Sequence, residues 1–138
     1  MTAQALADRD AIADLLRRYA AGVDARDLGA VAACFAPGAA YAGTLGAGTV
    51  ADALPRLAAA MRRYTATMHR LGPQAIRVDG DRARATTDCL AHHVLAGGAQ
   101  RTVAVTYDDA LVRDAGGWRI VARHVTTRWA RAEAAPHG

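Results

Sequence analysis

The sequence predicts an α+β fold in which a curved antiparallel sheet wraps over three N-terminal helices. Within residues 4–64, apolar side chains recur at three- and four-residue steps, as on amphipathic helices. Within residues 66–129, long stretches of alternating character are separated by short turns containing glycine, which indicates strands that pair with their neighbours. Helices followed by such strands are typical of the α+β class. Because the strands exceed the usual length, we expect the sheet to curl into a cone-shaped barrel.

Each half of the chain divides into elements with recognisable ends. Asp27 is the expected N-cap of the second helix, and Pro55 lies near the start of the third or kinks it. The three helices are predicted at residues 4–24, 26–35 and 48–64, and a short strand at 39–43. The four long strands are predicted at residues 66–80, 82–96, 101–114 and 116–129, the first being interrupted near Gly72 and Pro73.

The length of 138 residues suits a single domain. We place this domain at residues 1–130 and expect a flexible tail at residues 131–138, which is polar. No internal repeat or interior linker is evident.

Composition excludes several functions. All 17 basic residues are arginine, which excludes Schiff-base catalysis and a Walker A phosphate loop, since both need lysine. This bias is typical of a GC-rich bacterial genome. The net charge is +4, but the arginines are scattered and only 5% of residues are aromatic, so we expect no nucleic-acid partner.

The sequence also bears on location and redox state. No apolar stretch approaches the length of a membrane span, and residues 1–16 contain acids instead of a hydrophobic signal region. We therefore expect a cytoplasmic protein without a membrane partner. Cys34 and Cys89 stand alone in apolar surroundings, which favours buried free thiols over a disulfide.

The third long strand is apolar on both of its faces. Val103 and Val105 alternate with Ala104, and the same pattern continues to Val112. One face covers the helices, and the other needs a second cover. A homodimer formed through the outer face of the sheet is the simplest prediction.

Histidine placement limits the possible chemistry. His92 and His93 are adjacent on a strand and point to opposite faces, unless a bulge exchanges them. The chain lacks the paired histidine and cysteine spacings typical of metal sites, and we predict no metal and no cofactor. On the strand at 82–96, small residues share a face with His93, which would leave room for a cavity. A histidine bonded to a backbone carbonyl in the core is the alternative.

Three further polar residues lie at or near apolar positions. Taken singly, Tyr19 and His69 are more often structural. Asp24 is unusual because a carboxylate at the C-terminal end of a helix opposes the helix dipole. On an ideal helix Tyr19 and Asp24 lie about 140° apart, so both can border only a broad pocket.

Nearly the whole chain resembles the SnoaL-like domains of the nuclear transport factor two-like superfamily. That resemblance implies the same cone-shaped α+β fold. The matching segments are DRDAIADLLRRYAAGVDARDLGAVAACFAP, TMHRL, IRVDGDRARA and YDDALVRDAGGWRIVAR.

The motifs more narrowly resemble scytalone dehydratase and the bile-acid dehydratases. This resemblance implies that Asp24, His69 and His93 are catalytic, with Tyr19 in the position of a bile-acid dehydratase tyrosine. It also implies that Tyr41 binds substrate and that Arg128 lies near the pocket mouth. Scytalone dehydratase has an asparagine where this chain has Tyr107 or Asp108. The expected substrate-binding residues are Tyr41, His92, Tyr107 and Arg128.

We therefore expect a cofactor-independent enzyme of the dehydratase or isomerase type that acts on a small hydrophobic carbonyl or hydroxy compound. His69 would remove a proton next to a carbonyl, and His93 would protonate a leaving hydroxyl. The alternatives are a polyketide cyclase-like tailoring enzyme and a non-catalytic, dimeric module that binds small molecules.

Overall fold

The computed structural model describes residues 1–137 and has three helices and six strands. The helices are α1 Ala3–Asp24, α2 Leu28–Ala33 and α3 Val50–Met61. The strands are β1 Phe35–Gly43, β2 Gly46–Thr49, β3 Tyr64–Asp79, β4 Arg82–Leu95, β5 Gln100–Asp114 and β6 Gly117–Glu133. The predicted α+β cone is confirmed.

The strands form one curved, unclosed sheet in the order β2-β1-β6-β5-β4-β3. All neighbours are antiparallel except β1 and β6, which are parallel. The predicted interruption of β3 appears as a register shift between Leu71 and Gln74. Long strands let the sheet coil around the helices, so its inner face and α1 enclose the core.

Two strands differ from the sequence-based expectation. β1 begins at Phe35, although Pro37 and Gly38 were expected to end a helix there, and its register shifts between Phe35 and Ala40. β2 was not predicted. Its four residues, GAGT, lack alternation and form a strand because they pair with β1. Both strands depend on contacts with distant segments, which no local sequence pattern records.

Helix ends follow ordinary capping chemistry. The Asp27 side chain accepts a hydrogen bond from the Ala30 amide, as predicted. Thr49 and Asp52 form a capping box at the start of α3, and Pro55 lies inside that helix. Cys34 and Cys89 are buried free thiols.

β6 extends to Glu133, three residues past the predicted domain boundary. Residue 138, at the end of the predicted tail, lies outside the described residues. No helix within residues 1–137 is long and apolar enough to cross a membrane.

Candidate active site

The cone contains a cavity of about 330 Å³ between the helices and the inner face of the sheet. Its apolar wall comes mainly from α3, β5 and β6. Its polar lining consists of Tyr19, Tyr41, Thr44, Arg63, Tyr64, His69, His93, Arg101, Tyr107 and Thr127. The predicted residues Tyr19, Tyr41, His69, His93 and Tyr107 therefore share one cavity.

Asp24, the last residue of α1, reaches His69 on β3. Oδ1 of Asp24 lies 2.7 Å from Nδ1 of His69, and Oδ2 accepts the backbone N–H of His69 at 2.8 Å. The exposed fraction is 9% for the His69 side chain and 24% for that of Asp24. This double attachment fixes both the position and the ring orientation of the histidine.

Two residues that the sequence did not identify support this pair. The Thr67 hydroxyl donates to Oδ1 of Asp24 at 3.0 Å and accepts from Arg26 at 2.8 Å. Arg26 also donates to the carbonyls of Asp24 and Tyr64, although the latter contact is long at 3.4 Å. Its φ of 60° is uncommon for a residue other than glycine. Arg26 thus ties the end of α1 to the start of β3.

The hydrogen bonds determine which nitrogen of each histidine is free. A carboxylate only accepts, so Nδ1 of His69 carries a proton, and Nε2 of the neutral ring is left as a base. Nδ1 of His93 lies 3.2 Å from the carbonyl oxygen of Arg101, so it is also protonated. The two rings lie edge to face with centroids 6.0 Å apart. One cavity therefore holds two imidazoles whose Nε2 atoms are unprotonated when the rings are neutral.

His93 is 7% exposed, and burial lowers its pKa below the ordinary value. The charge of a protonated His69 lowers it further, whereas the hydrogen bond to the Arg101 carbonyl raises it. The ring of Tyr64 packs against His93 with centroids 4.4 Å apart. The outcome is a histidine that stays neutral at a lower pH than an exposed one.

This lowered pKa predicts how stability depends on pH. The unfolded chain binds the His93 proton more readily than the folded protein does, so the free energy of unfolding rises with pH. The rise occurs between the lowered folded pKa of His93 and 6.5, its unfolded value. We expect His93→Gln to flatten this part of the urea-unfolding profile and His92→Gln to leave it unchanged. Equal slopes for wild type and His93→Gln would contradict the prediction.

The closed end of the cone is built on a buried ion pair. Arg123 donates to both carboxylate oxygens of Asp109, from Nε at 2.7 Å and from Nη2 at 2.8 Å. The guanidinium carbon lies 4.2 Å from the ring centroid of Tyr19 and 4.1 Å from that of Tyr107. Burial raises the pKa of both tyrosines, although the charge of Arg123 opposes this. These two tyrosines are therefore neutral donors held by aromatic and cationic contacts.

Two predicted substrate-binding residues do not line this cavity. His92 points to the other face of β4, where Nδ1 lies 3.2 Å from the Thr102 hydroxyl. No bulge occurs between His92 and His93, so strand alternation separates them. Arg128 occupies a bulge in β6, because Thr127 pairs with Val105 and Trp129 with Ala104. It contacts Thr106 on the outer face at 2.9 Å.

A second, more open groove of about 700 Å³ runs between α1 and β3. It touches Asp24 and His69 but includes neither His93 nor the tyrosines. The inner cavity is therefore the place where the titratable groups meet. Within residues 1–137, no three side chains of the metal-binding types cluster together.

The sequence matches the model of the SnoaL-like domain over residues 4–124. The chain belongs to the SnoaL-like domain family. It is 32% identical over 124 residues to the uncharacterized proteins Rv2910c of Mycobacterium tuberculosis and Mb2934c of Mycobacterium bovis. The alignment covers 86% of this chain and 84% of each relative.

Solved structures share the fold of this chain. A scytalone dehydratase candidate from Novosphingobium aromaticivorans superposes with a TM-score of 0.86 at 21% identity, over 99% of this chain and 94% of that one. The hexachlorocyclohexane dehydrochlorinase LinA-type3 from Novosphingobium barchaimii gives 0.83 at 23%, over 96% and 94%. At these identities the likeness shows that the fold is shared.

Proposed function

We propose that this SnoaL-like protein is a cofactor-independent acid–base enzyme that eliminates water from, or isomerises, a small hydrophobic carbonyl compound. The observation that carries the proposal is the Asp24–His69 pair, whose Nδ1–Oδ1 distance is 2.7 Å, beside a cavity that also contains His93. A carboxylate that fixes the tautomer and orientation of an imidazole is the arrangement expected of a general base. The elimination chemistry named for the two structural neighbours supports it.

In the proposed dehydration, Nε2 of His69 removes the proton next to the substrate carbonyl. The electron pair of that C–H bond forms an enolate, and the Tyr41 hydroxyl donates to its oxygen. No hydrogen bond within residues 1–137 occupies this hydroxyl. The enolate electrons then form the carbon–carbon double bond as the C–O bond breaks. The departing hydroxyl takes a proton from a protonated His93 and leaves as water.

Burial makes the His93 imidazolium a stronger acid but also a scarcer species at neutral pH. Isomerisation would use the same enolate and return the proton to another carbon. An aldol-type cyclisation would instead use the enolate as a carbon nucleophile, so a polyketide cyclase-like reaction is the alternative for the same residues.

Two assays test this proposal. Enone formation from a panel of β-hydroxy ketones is followed by ultraviolet absorbance. Uptake of deuterium by α-tetralone, a bicyclic ketone, is followed by NMR in D2O. We expect the protein to accelerate α-proton exchange over buffer. A wild-type protein that accelerates neither reaction would favour the non-catalytic binding module.

We also propose that two copies of the chain associate through the outer face of the sheet. Three large apolar side chains are exposed there: Met68 (60%), Trp129 (51%) and Leu90 (39%). Leu90 pairs with Ala104, which pairs with Trp129, so they form a row across three strands. Burying a contiguous apolar surface of this kind favours association.

We expect sedimentation velocity to give a dimer for wild type and a monomer for the double variant Leu90→Arg/Trp129→Arg. Leu6→Arg, at an exposed apolar position on α1 (57%), is the matched control and should remain dimeric. A monomeric wild-type protein would contradict the proposal.

A further inference from the structure

The open end of the cavity carries two arginines that the acid–base chemistry does not use. Arg63 is the second residue after α3, and Arg101 is the second residue of β5. Arg101 pairs with His93 in the sheet register and shares the inner face of β5 with Val103. Both side chains are exposed and line the same cavity as His69 and His93.

Within residues 1–137, neither guanidinium has a carboxylate partner, because the ion pairs there involve other arginines and His69. In the described part of the chain, no aspartate or glutamate lines the cavity. Asp24 lies behind His69 and faces the outer groove. Two uncompensated positive charges thus stand at the mouth of a cavity that contains no negative side chain.

The mouth is organised around Tyr64, which lies between the arginines and His93. Nη2 of Arg63 donates to the Tyr64 hydroxyl at 3.2 Å, and its guanidinium carbon lies 5.6 Å from the Tyr64 ring centroid. Burial alone would raise the pKa of Tyr64. Hydrogen bonds and positive charge from Arg63 and Arg101 outweigh it, so the pKa falls below its ordinary value. The local potential therefore favours negative charge at this end.

Apart from the histidines, the rest of the cavity lining is apolar or neutral. Leu57, Met61, Val105 and Val125 contribute aliphatic surface, and Tyr107 contributes an aromatic ring. A molecule that fills this space therefore contacts aliphatic and aromatic groups, the two histidines and the arginines.

We propose that the ligand of this cavity is a small, mainly apolar molecule with one anionic oxygen group, held at the mouth by Arg63 and Arg101. Guanidinium groups favour such groups because their N–H donors match the geometry of carboxylate and phosphate oxygens. This proposal rests on the proposed function because it names a substrate class for the same site. It makes a separate claim, however, which concerns binding and not catalysis. With the anion at the mouth, the apolar body extends past His69 and His93.

The test compares two bicyclic probes of nearly equal shape, 2-naphthoate and its neutral amide 2-naphthamide, by isothermal titration calorimetry on the full chain. We expect wild type to bind the carboxylate about tenfold more tightly than the amide, consistent with two partly solvent-screened charge pairs. The double variant Arg63→Gln/Arg101→Gln should reduce this preference to about twofold or less. Its affinity for the amide should be unchanged, which also reports an intact cavity.

Arg62→Gln is the matched control, since the same charge is removed from the adjacent residue, whose side chain lines a different crevice. It should keep the full preference. Equal wild-type affinity for the two probes, undetectable binding of the carboxylate, or an unchanged preference in the double variant would overturn the proposal. Because no turnover is measured, a protein that fails the exchange assay can still pass this test. A protein that passes the exchange assay can likewise fail it.

Discussion

Replacing His69 by glutamine should lower the rate of α-proton exchange by about a thousandfold, because it removes the base that the Asp24 carboxylate orients in the cavity. Glutamine keeps a polar side chain of similar reach, so the cavity should persist. His93→Gln should reduce exchange less, by about tenfold, since exchange needs a base but no leaving-group acid. The measurement is deuterium incorporation into α-tetralone by NMR at several concentrations.

Asp24→Asn should lower the rate of α-proton exchange by about a hundredfold or more, because it changes the tautomer of His69. The backbone N–H of His69 donates to one carboxylate oxygen, and Nδ1 faces the other. A backbone N–H can only donate, so the single amide oxygen of asparagine must turn toward it. The NH2 group then faces Nδ1, which becomes an acceptor, and Nε2 carries the proton. In that state His69 has no unprotonated nitrogen on the cavity side and cannot act as the base.

His92→Gln is the control for these variants, because it removes a histidine from β4, the strand of His93, but on the face that points away from the cavity. It should retain wild-type exchange. Near-normal exchange in His69→Gln, or equal losses in His69→Gln and His92→Gln, would contradict the assignment of the base. Affinity for 2-naphthamide verifies that each variant keeps its cavity.

The second large effect is on stability. Asp109→Ala should reduce the free energy of unfolding by about 3–5 kcal/mol, since it leaves a buried arginine without its counter-ion. Arg123 and Asp109 are 3% and 2% exposed. Interaction with Asp109 holds the pKa of Arg123 above its ordinary value despite burial. Arg123 therefore stays charged and does not relieve the cost of burial by losing its proton. Nη1 of Arg123 already lacks a hydrogen-bond partner in the described structure.

The double variant Asp109→Leu/Arg123→Met should be more stable than Asp109→Ala, because it removes both charges together and fills their volume with apolar atoms. Urea unfolding followed by circular dichroism measures all three proteins. A loss below about 1 kcal/mol in Asp109→Ala would contradict the account, since that is the range of exposed ion pairs. If the double variant is no more stable than the single one, the lost free energy of unfolding comes instead from packing around the aromatic rings.

The structure also answers how Tyr19 and Asp24 can both serve one site from positions about 140° apart on α1. Tyr19 lies at the closed end of the cavity, against Tyr107 and Arg123. Asp24 does not line the cavity and contacts His69 at its wall. The two side chains therefore occupy different places and need no broad shared pocket.

Some site residues that the sequence missed were detectable in principle. Arg101 is spaced by two residues from Val103, and Val105 and Tyr107 continue this spacing. Strand periodicity therefore places Arg101 on the same face as the predicted pocket residue Tyr107. Thr67 precedes His69 by two residues and therefore shares its face of β3. Arg26 was not detectable in this way. Its role depends on a left-handed backbone conformation and on contact with residues about forty positions away.

The sequence by itself determined the α+β class, the long strands, the N-cap of α2 and the two faces of β4. These properties follow from local periodicity and capping chemistry, which depend on near neighbours in the chain. Only the tertiary structure decided that β1 and β2 complete the sheet and that a bulge at Arg128 brings Trp129 to the outer face. It also decided that Asp24 meets His69 and that two arginines border the cavity mouth. Those outcomes require segments distant in sequence to meet, and no local pattern encodes such distances.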